Sequence, residues 1–140
     1  MMDRPTVSYP LALSLLGADG AELLLAAELR FSTADPLAVE ALFDDGSDEP
    51  VRWVFARDLL SAGLDRRAGD GDVVVWPTND VDDTRVVHLR LRSPHGDALL
   101  EASADAIQAF LVATWRLVPP GAEHEHLDLD GIVNALLGDS

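Results

Sequence analysis

The chain has 140 residues, of which 25 are acidic, 10 are basic and none is cysteine, so its formal net charge is −15. This length suits one domain, spanning residues 1–140, that buries a core without disulfides or structural metals. Thiol redox chemistry and cysteine-based zinc sites are excluded, and the negative charge opposes binding to nucleic-acid phosphates.

Seven segments have the pattern of β-strands, with apolar and polar residues alternating between turn signals. Because Pro10 cannot donate to a ladder, the first segment is expected to be an edge strand or to carry a bulge. The second segment is apolar enough for a helix or a strand, and the turn signals on both sides favour a strand. In chain order the predicted strands are 6–16, 23–31, 38–43, 51–56, 73–76, 85–93 and 98–102.

Three segments have the spacing of helices. A short helix is predicted over residues 57–64, where Gly63 is placed to end it. The longest is predicted over 103–118, with Ser103 as its N-cap. A final helix is predicted after Asp128 or Asp130. The apolar stripe of the longest helix is expected to consist of Ile107, Phe110, Leu111, Thr114, Trp115 and Val118.

Strands followed by helices predict an α+β fold, in which antiparallel β-sheets of about seven strands carry a C-terminal long helix and a second short helix. In the strand 85–93, Val87 and Leu89 are expected to face the core, and His88 and Arg90 the solvent. One buried cluster is expected to contain Trp53, Phe55, Val75, Trp76, Val87, Leu89, Leu91, Ile107, Phe110 and Leu111.

Three acidic segments are candidates for metal binding. The segment from Glu123 to Asp130 contains a His-x-His pair with acids, but it is better interpreted as a solvated loop that leads into the final helix. The aspartate-rich loops 44–50 and 79–83 lack the ligand spacing of a calcium-binding EF-hand loop. The sequence therefore predicts no metal and no cofactor.

No serine lies in a strand–serine–helix elbow with flanking glycines, so the sequence predicts no catalytic residue and no enzyme. His88, Arg90 and Arg92 could bind an anion on the exposed side of their strand. In so acidic a protein they are expected to pair with neighbouring carboxylates instead, and exposed pairs contribute only about 0–1 kcal/mol each.

The run Trp53-Val54-Phe55-Ala56-Arg57-Asp58-Leu59-Leu60 is followed by Gly71-Asp72-Val73 and Val75-Trp76-Pro77. With these motifs the chain resembles the SsgA-like sporulation and cell-division proteins of actinobacteria. Further matches run in order along nearly the whole chain. They are Thr33-Ala34-Asp35-Pro36, Ser93-Pro94, Gly96, Ala98-Leu99-Leu100-Glu101-Ala102, Val118-Pro119-Pro120-Gly121 and Glu123-His124.

The resemblance implies a non-enzymatic adaptor in sporulation-linked septation. In the branch that looks closest, the protein helps localise the tubulin-like division protein FtsZ and promotes septum assembly. The implied partners are therefore FtsZ and other SsgA-like proteins, and the implied assembly is a homotrimer. The chain begins without a signal peptide and contains no run of roughly 18 apolar residues, so a cytoplasmic location, at the division septum, is expected.

The resemblance also implies a fold like the Whirly single-stranded nucleic-acid-binding proteins. The alternative function is therefore a nucleic-acid-binding module of that type. Such a module needs a basic groove with stacking aromatic side chains, whereas the arginines here are scattered among acids. A second alternative, which the resemblance also permits, is an unassigned enzyme or enzyme chaperone in cell-wall remodelling.

Partner and subunit contacts are expected around the end of the longest helix. Val112 and Ala113 stand where the family typically has a basic pair, and Trp115 stands where a small or polar residue is expected. Val112 and Trp115 are interpreted either as loosely packed core or as a contact surface, because tryptophan is enriched in interface cores. Pro119, Pro120 and Gly121 form a stiff turn that is expected to stay exposed and face a partner. Segments 11–16 and 23–25 are further candidates for an apolar subunit interface.

Overall fold

The computed structural model describes residues 5–126, which form seven strands, two α-helices and one 3₁₀ turn. Three strands have the bounds predicted for them, namely 6–16, 51–56 and 85–93. The elements are β1 (Thr6–Leu16), β2 (Glu22–Ser32), β3 (Asp35–Asp44), β4 (Val51–Ala56), α1 (Arg57–Ala62), β5 (Val73–Asn79), β6 (Arg85–Ser93), β7 (Gly96–Ser103), α2 (Ala104–Leu117) and the 3₁₀ turn (Glu123–His126).

All seven strands belong to one antiparallel, curled sheet in the order β4-β3-β2-β1-β7-β6-β5. The sheet consists of two meanders, β1–β4 and β5–β7. Among residues 5–126, the two meanders are paired as strands only where Ser14 and Leu15 of β1 lie opposite Glu101 and Leu100 of β7. The α+β fold with seven antiparallel strands is therefore confirmed.

The core lies on one face of the sheet and beneath α2. Phe110 and Leu111 of α2 are fully buried, and the ring of Tyr9 from β1 meets that of Phe110 edge-on with centroids 6.4 Å apart. Eight of the ten predicted core residues belong to the buried cluster; Trp53 packs against it and is partly exposed. Ser103 accepts a hydrogen bond from the Ala106 N–H at 3.2 Å, which confirms the predicted N-cap of α2.

The prediction that Trp76 lies in this core is wrong. Successive side chains of a strand point to opposite faces, so Val75 and Trp76 cannot both face the core. Val75 is buried in the core, whereas Trp76 pairs with His88 across the outer face, with ring centroids 5.6 Å apart. The guanidinium of Arg67 lies over the Trp76 ring, 4.8 Å from its centre.

Two prolines lie in strand positions that differ from the prediction, which placed Pro10 in an edge or bulged strand and had Pro77 end the strand predicted over 73–76. The segment containing Pro10 is neither an edge strand nor bulged, because β1 lies between β2 and β7. It tolerates Pro10 because pairing with β7 involves only Ser14 and Leu15, so one side of β1 is free of ladder partners at Pro10. Pro77 does not end its strand: β5 continues to Asn79, since it is an edge strand where a missing N–H is tolerated.

The short helix α1 lies against β5 and ends at Gly63, as the spacing predicted. A Cβ built on Gly63 would lie 2.2 Å from Cγ1 of Val75, so the close approach of this helix to the sheet requires glycine. The final helix predicted after Asp128 or Asp130 lies outside the described residues.

Candidate functional site

The end of α2 carries the exposed turn that the sequence singled out. Val118 caps the helix with its N–H bonded to the Thr114 carbonyl, and Pro119, Pro120 and Gly121 follow it on the surface. Gly121 has a φ of 89°, which glycine adopts without strain. The Ala122 N–H closes the turn by donating to the Pro119 carbonyl at 3.0 Å. Residues 119–121, here called the 119–121 loop, are thus exposed as predicted.

A buried ion pair lies directly beneath this loop. The Arg57 side chain is 1% exposed, and its Nη2 donates to Glu123 Oε1 at 2.8 Å. Its Nη1 donates to the Val118 carbonyl at 2.7 Å and lies 3.5 Å from both oxygens of Thr114. One guanidinium therefore contacts the chain on both sides of the 119–121 loop.

Arg57 reaches this place because it continues the inward phase of β4. Trp53 and Phe55 face the core, and Arg57, two residues further, points the same way at the start of α1. Its guanidinium lies over the Phe31 ring, 4.9 Å from the centre. Within the described part of the chain, Arg57 Nε is buried without a hydrogen-bond partner.

The sequence reasoning missed Arg57 and Glu123 as a pair. The signal that could have found Arg57 is its position in the alternation Trp53, Phe55, Arg57, where an inward-facing arginine demands an acidic partner. Nothing in the sequence identified that partner, because Glu123 is 66 residues away and lies among several other acids.

The pKa of the Glu123 carboxyl is held below its ordinary value of 4.5. The larger cause is a hydrogen bond from the backbone N–H of Glu123 itself, and the second is the hydrogen bond from the Arg57 guanidinium. The carboxylate side chain is only 12% exposed, so the pair is largely shielded from solvent. Such a pair is costly to break from one side, because the remaining charge stays buried without a partner.

Val112 and Trp115 are both half-buried, and Trp115 packs against the core. The stripe predicted for α2 is otherwise fully buried, since Ile107, Thr114 and Val118 join Phe110 and Leu111. Val112 lies beside the stripe and keeps part of its surface in solvent, so both interpretations of this pair remain predictions.

The two apolar segments proposed for subunit contact differ in exposure. In β1, Leu13 is buried and Leu11 and Leu15 pack against the core, so their side chains are mostly committed to the fold. In β2, Leu23 and Leu24 are 58% and 72% exposed. The exposed apolar surface in this region therefore comes from the start of β2.

Two arginines on the outer face of the sheet, Arg30 and Arg52, are paired with carboxylates. Arg30 lies 2.7 Å from Glu28 and 3.8 Å from Glu40, and Arg52 also pairs with Glu40. Arg30 and then Ser8 hold the pKa of Glu28 below its ordinary value. Since carboxylates neutralise these arginines, the face lacks the basic character that nucleic-acid phosphates require.

His88 and Arg92 on β6 also have acidic partners, as predicted, whereas Arg90, for which the same was predicted, forms no ion pair with another of residues 5–126. His88 Nε2 lies 3.1 Å from Glu101 Oε2, and Arg92 Nε lies 3.6 Å from Asp97 Oδ2.

In the acidic loops, aspartate carboxylates accept hydrogen bonds from backbone N–H groups of the same loop. Asp80 accepts N–H bonds from Asp82 and Thr84, both at 2.9 Å, and Asp45 accepts from the N–H and hydroxyl of Ser47. Among residues 5–126, no three His, Cys, Asp or Glu side chains are grouped to hold a metal ion; Asp128 and Asp130 lie outside this range. Among the same residues, no helix is long and apolar enough to cross a membrane.

The chain matches known proteins over nearly its whole length. Residues 25–123 match the family described as Streptomyces sporulation and cell division protein, SsgA. The sporulation-specific cell division protein SsgB of Streptomyces coelicolor is 50% identical over 96% of this chain and 98% of its own length. The protein of the same name from Thermobifida fusca is 41% identical over 89% and 90% of the two chains.

Solved structures share the fold. One, from a study of SsgB mutations that correlate to longitudinal cell division during sporulation of Streptomyces coelicolor, has a TM-score of 0.84 and 50% identity over 88% of this chain and 96% of its own. The SsgA-like sporulation-specific cell division protein from Thermobifida fusca YX-ER1 has a TM-score of 0.85 and 38% identity, with 96% and 98% covered.

The chain therefore belongs to the SsgA-like family of actinobacterial sporulation and cell division proteins. Within that family it is similar to the SsgB branch, as the sequence motifs predicted.

Proposed function

We propose that this chain is a single-domain, non-enzymatic adaptor of sporulation-linked cell division that helps localise FtsZ and promotes septum assembly. The observation that carries the proposal is its similarity to SsgB proteins, which extends over 96% of the chain at 50% identity in one case. The proposed location is the cytoplasmic side of the division septum, and the proposed partners are FtsZ and other SsgA-like proteins.

The surface around the end of α2 is the proposed partner contact. The 119–121 loop is exposed, and Val112 and Trp115 leave part of their apolar surface accessible on the same helix. A rigid exposed turn beside a partly exposed tryptophan supports protein binding, because little conformational freedom is lost on contact.

The proposed assembly is a homotrimer, as the family resemblance implies. With a net charge of −15 on each chain, the subunits repel one another, so an apolar contact must outweigh the repulsion. Leu23 and Leu24 are exposed apolar residues available for this contact.

The test is co-sedimentation of the purified protein with FtsZ polymers. We expect the wild-type protein to pellet with the polymers, and Pro120→Asp to pellet less because it adds a charge to the 119–121 loop. Pro94→Asp is the matched control, since it makes the same change in the exposed turn between β6 and β7.

A wild-type protein that stays in the supernatant with FtsZ polymers would contradict the adaptor. Equal loss for both proline variants would remove the 119–121 loop from the contact. Fluorescence anisotropy with single-stranded DNA at physiological salt should detect no binding, because of the protein's charge. Tight binding there would favour the nucleic-acid-binding alternative.

A further inference from the structure

We infer that Arg57 is a positioning residue that fixes the shape of the 119–121 loop through its ion pair with Glu123, and that partner binding depends on this pair. The inference rests on the proposed function for its partner, whereas the geometry of the loop stands independently.

The guanidinium of Arg57 holds both ends of the loop. Its Nη1 binds the Val118 carbonyl just before the loop, at 2.7 Å, and its Nη2 binds the Glu123 carboxylate just after it, at 2.8 Å. Only residues 119–122 lie between these two anchors. Because the guanidinium is planar and rigid, its two nitrogens fix the separation of the anchors.

Burial makes this arrangement specific. Arg57 is 1% exposed, so its guanidinium has almost no contact with bulk water while Glu123 is its partner. The Thr114 and Val118 carbonyls lie at the end of α2, where cations are favoured by the helix dipole. The guanidinium therefore binds where the backbone already attracts positive charge, and Glu123 is the carboxylate that completes the site.

The Phe31 ring also contacts the guanidinium of Arg57. The Arg57 Cζ lies 4.9 Å from the ring centre of Phe31, which is 2% exposed. Because the ring belongs to β2, Arg57 connects the loop to the sheet as well as to the end of α2. A loop held in this way is preorganised for a partner, so less ordering is needed on binding.

The exposed surface that depends on the pair includes the 119–121 loop and the start of the 3₁₀ turn. The Ala122 N–H bonds to the Pro119 carbonyl, and the Glu125 N–H bonds to the Ala122 carbonyl at 3.1 Å. Both hydrogen bonds lie next to Glu123 in the chain. How often they open therefore reports on whether the Arg57–Glu123 pair keeps residues 119–125 in place.

The experiment compares Glu123→Gln with Glu125→Gln, which is the same change on an exposed side chain of the same turn. In Glu123→Gln, amide hydrogen exchange at Ala122 and Glu125 should accelerate about tenfold, since a hydrogen bond to a charged group is stronger than a neutral one. Exchange in the β1–β2 ladder should stay unchanged. Glu125→Gln should exchange like the wild type.

Co-sedimentation with FtsZ polymers gives the second measurement. Glu123→Gln should bind about tenfold more weakly, because the loop must be ordered on binding. Ser103→Ala, which removes the N-cap at the other end of α2, controls for general loss of stability and should bind like the wild type. Arg57→Lys should bind as weakly as Glu123→Gln, because one ammonium cannot reproduce both nitrogens of the fork.

Unchanged exchange in Glu123→Gln would overturn the positioning of the loop. Faster exchange with unchanged FtsZ binding would overturn its link to the partner, as would equal loss of binding in Ser103→Ala. If the wild-type protein does not pellet with FtsZ at all, the proposed function fails, and the exchange measurement still decides whether Arg57 positions the loop.

Discussion

Phe110 is the central residue of the packing between α2 and the sheet. Its side chain is fully buried and meets the Tyr9 ring edge-on, so removing the ring leaves a cavity between α2 and the sheet. Phe110→Ala should lower the free energy of unfolding by about 3–5 kcal/mol, measured by urea denaturation. Gln108→Ala, on the exposed side of the same helix, should change it by less than about 0.5 kcal/mol. A loss below about 1 kcal/mol for Phe110→Ala would remove this residue from the core.

Glu123 makes the stability depend on pH in the acid range. Its pKa is lowered in the folded protein from an ordinary 4.5, so the folded state favours the carboxylate more than the unfolded state does. The resulting stabilisation is present above pH 4.5 and is lost as the pH falls through the folded pKa. As the pH falls from neutral into this acid range, the free energy of unfolding of Glu123→Gln should therefore decrease less than that of the wild type. Urea unfolding at several pH values measures this difference.

Glu28 and Asp45 also have lowered pKa values, the first through Arg30 and the second through Ser47, so the wild-type curve contains their contributions as well. For this reason the difference between the two proteins is the relevant quantity, and Glu125→Gln should follow the wild-type curve. Identical acid sensitivity in Glu123→Gln and the wild type would mean that the Arg57 pair does not contribute to stability.

Helix α1 can lie close to β5 because the residue at position 63 is glycine and has no side chain. A Cβ on Gly63 would lie 2.2 Å from Cγ1 and 2.6 Å from Cβ of Val75, which is fully buried and cannot move aside. Gly63→Ala should therefore lower stability by about 1–3 kcal/mol in thermal unfolding. Gly71→Ala, where an added Cβ meets nothing within 4 Å, is the matched control and should stay near the wild type. Equal loss of stability from both would show that contact with Val75 is not responsible.

Most element boundaries could be predicted because they depend on local signals. Ser103 caps α2, Gly63 ends α1, and the alternation in β6 fixes which side chains face the core. The roles of Pro10 and Pro77 could not be predicted, since a proline only reports that its own N–H is unpaired. Whether its strand is central or at an edge depends on pairing with distant segments.

The candidate site divides in the same way. Exposure of the 119–121 loop follows from its proline and glycine content, which is a local property. The Arg57–Glu123 pair joins residues that are 66 positions apart in the sequence, and the acid-rich sequence offered many equivalent partners. Trp76 was misplaced because a short strand with several apolar residues in succession does not define its own inward phase.

The net charge of the protein determines how its self-association should respond to salt. Salt screens repulsion between chains of charge −15, so a trimer with an apolar interface should persist or tighten as salt is raised. Light scattering at low and high salt measures this. Leu24→Ser should weaken assembly, whereas Leu37→Ser, at another exposed leucine, should not.

A monomer at high concentration in both salts would contradict the trimer. Dissociation on adding salt would show that ion pairs hold the subunits together, and equal weakening by both leucine variants would remove Leu24 from a specific contact.

The narrow junction between β1 and β7 has a consequence for the order of folding. Each meander is continuous in sequence, so β1–β4 can pair through short hairpins while the rest of the chain is still being synthesised. The junction joins Ser14 and Leu15 to Leu100 and Glu101, and closing so large a loop costs entropy for only two residue pairs. We therefore expect the ladder between β1 and β7 to form last, after burial of α2 has brought the two meanders together, and a nascent chain to expose its core face until then.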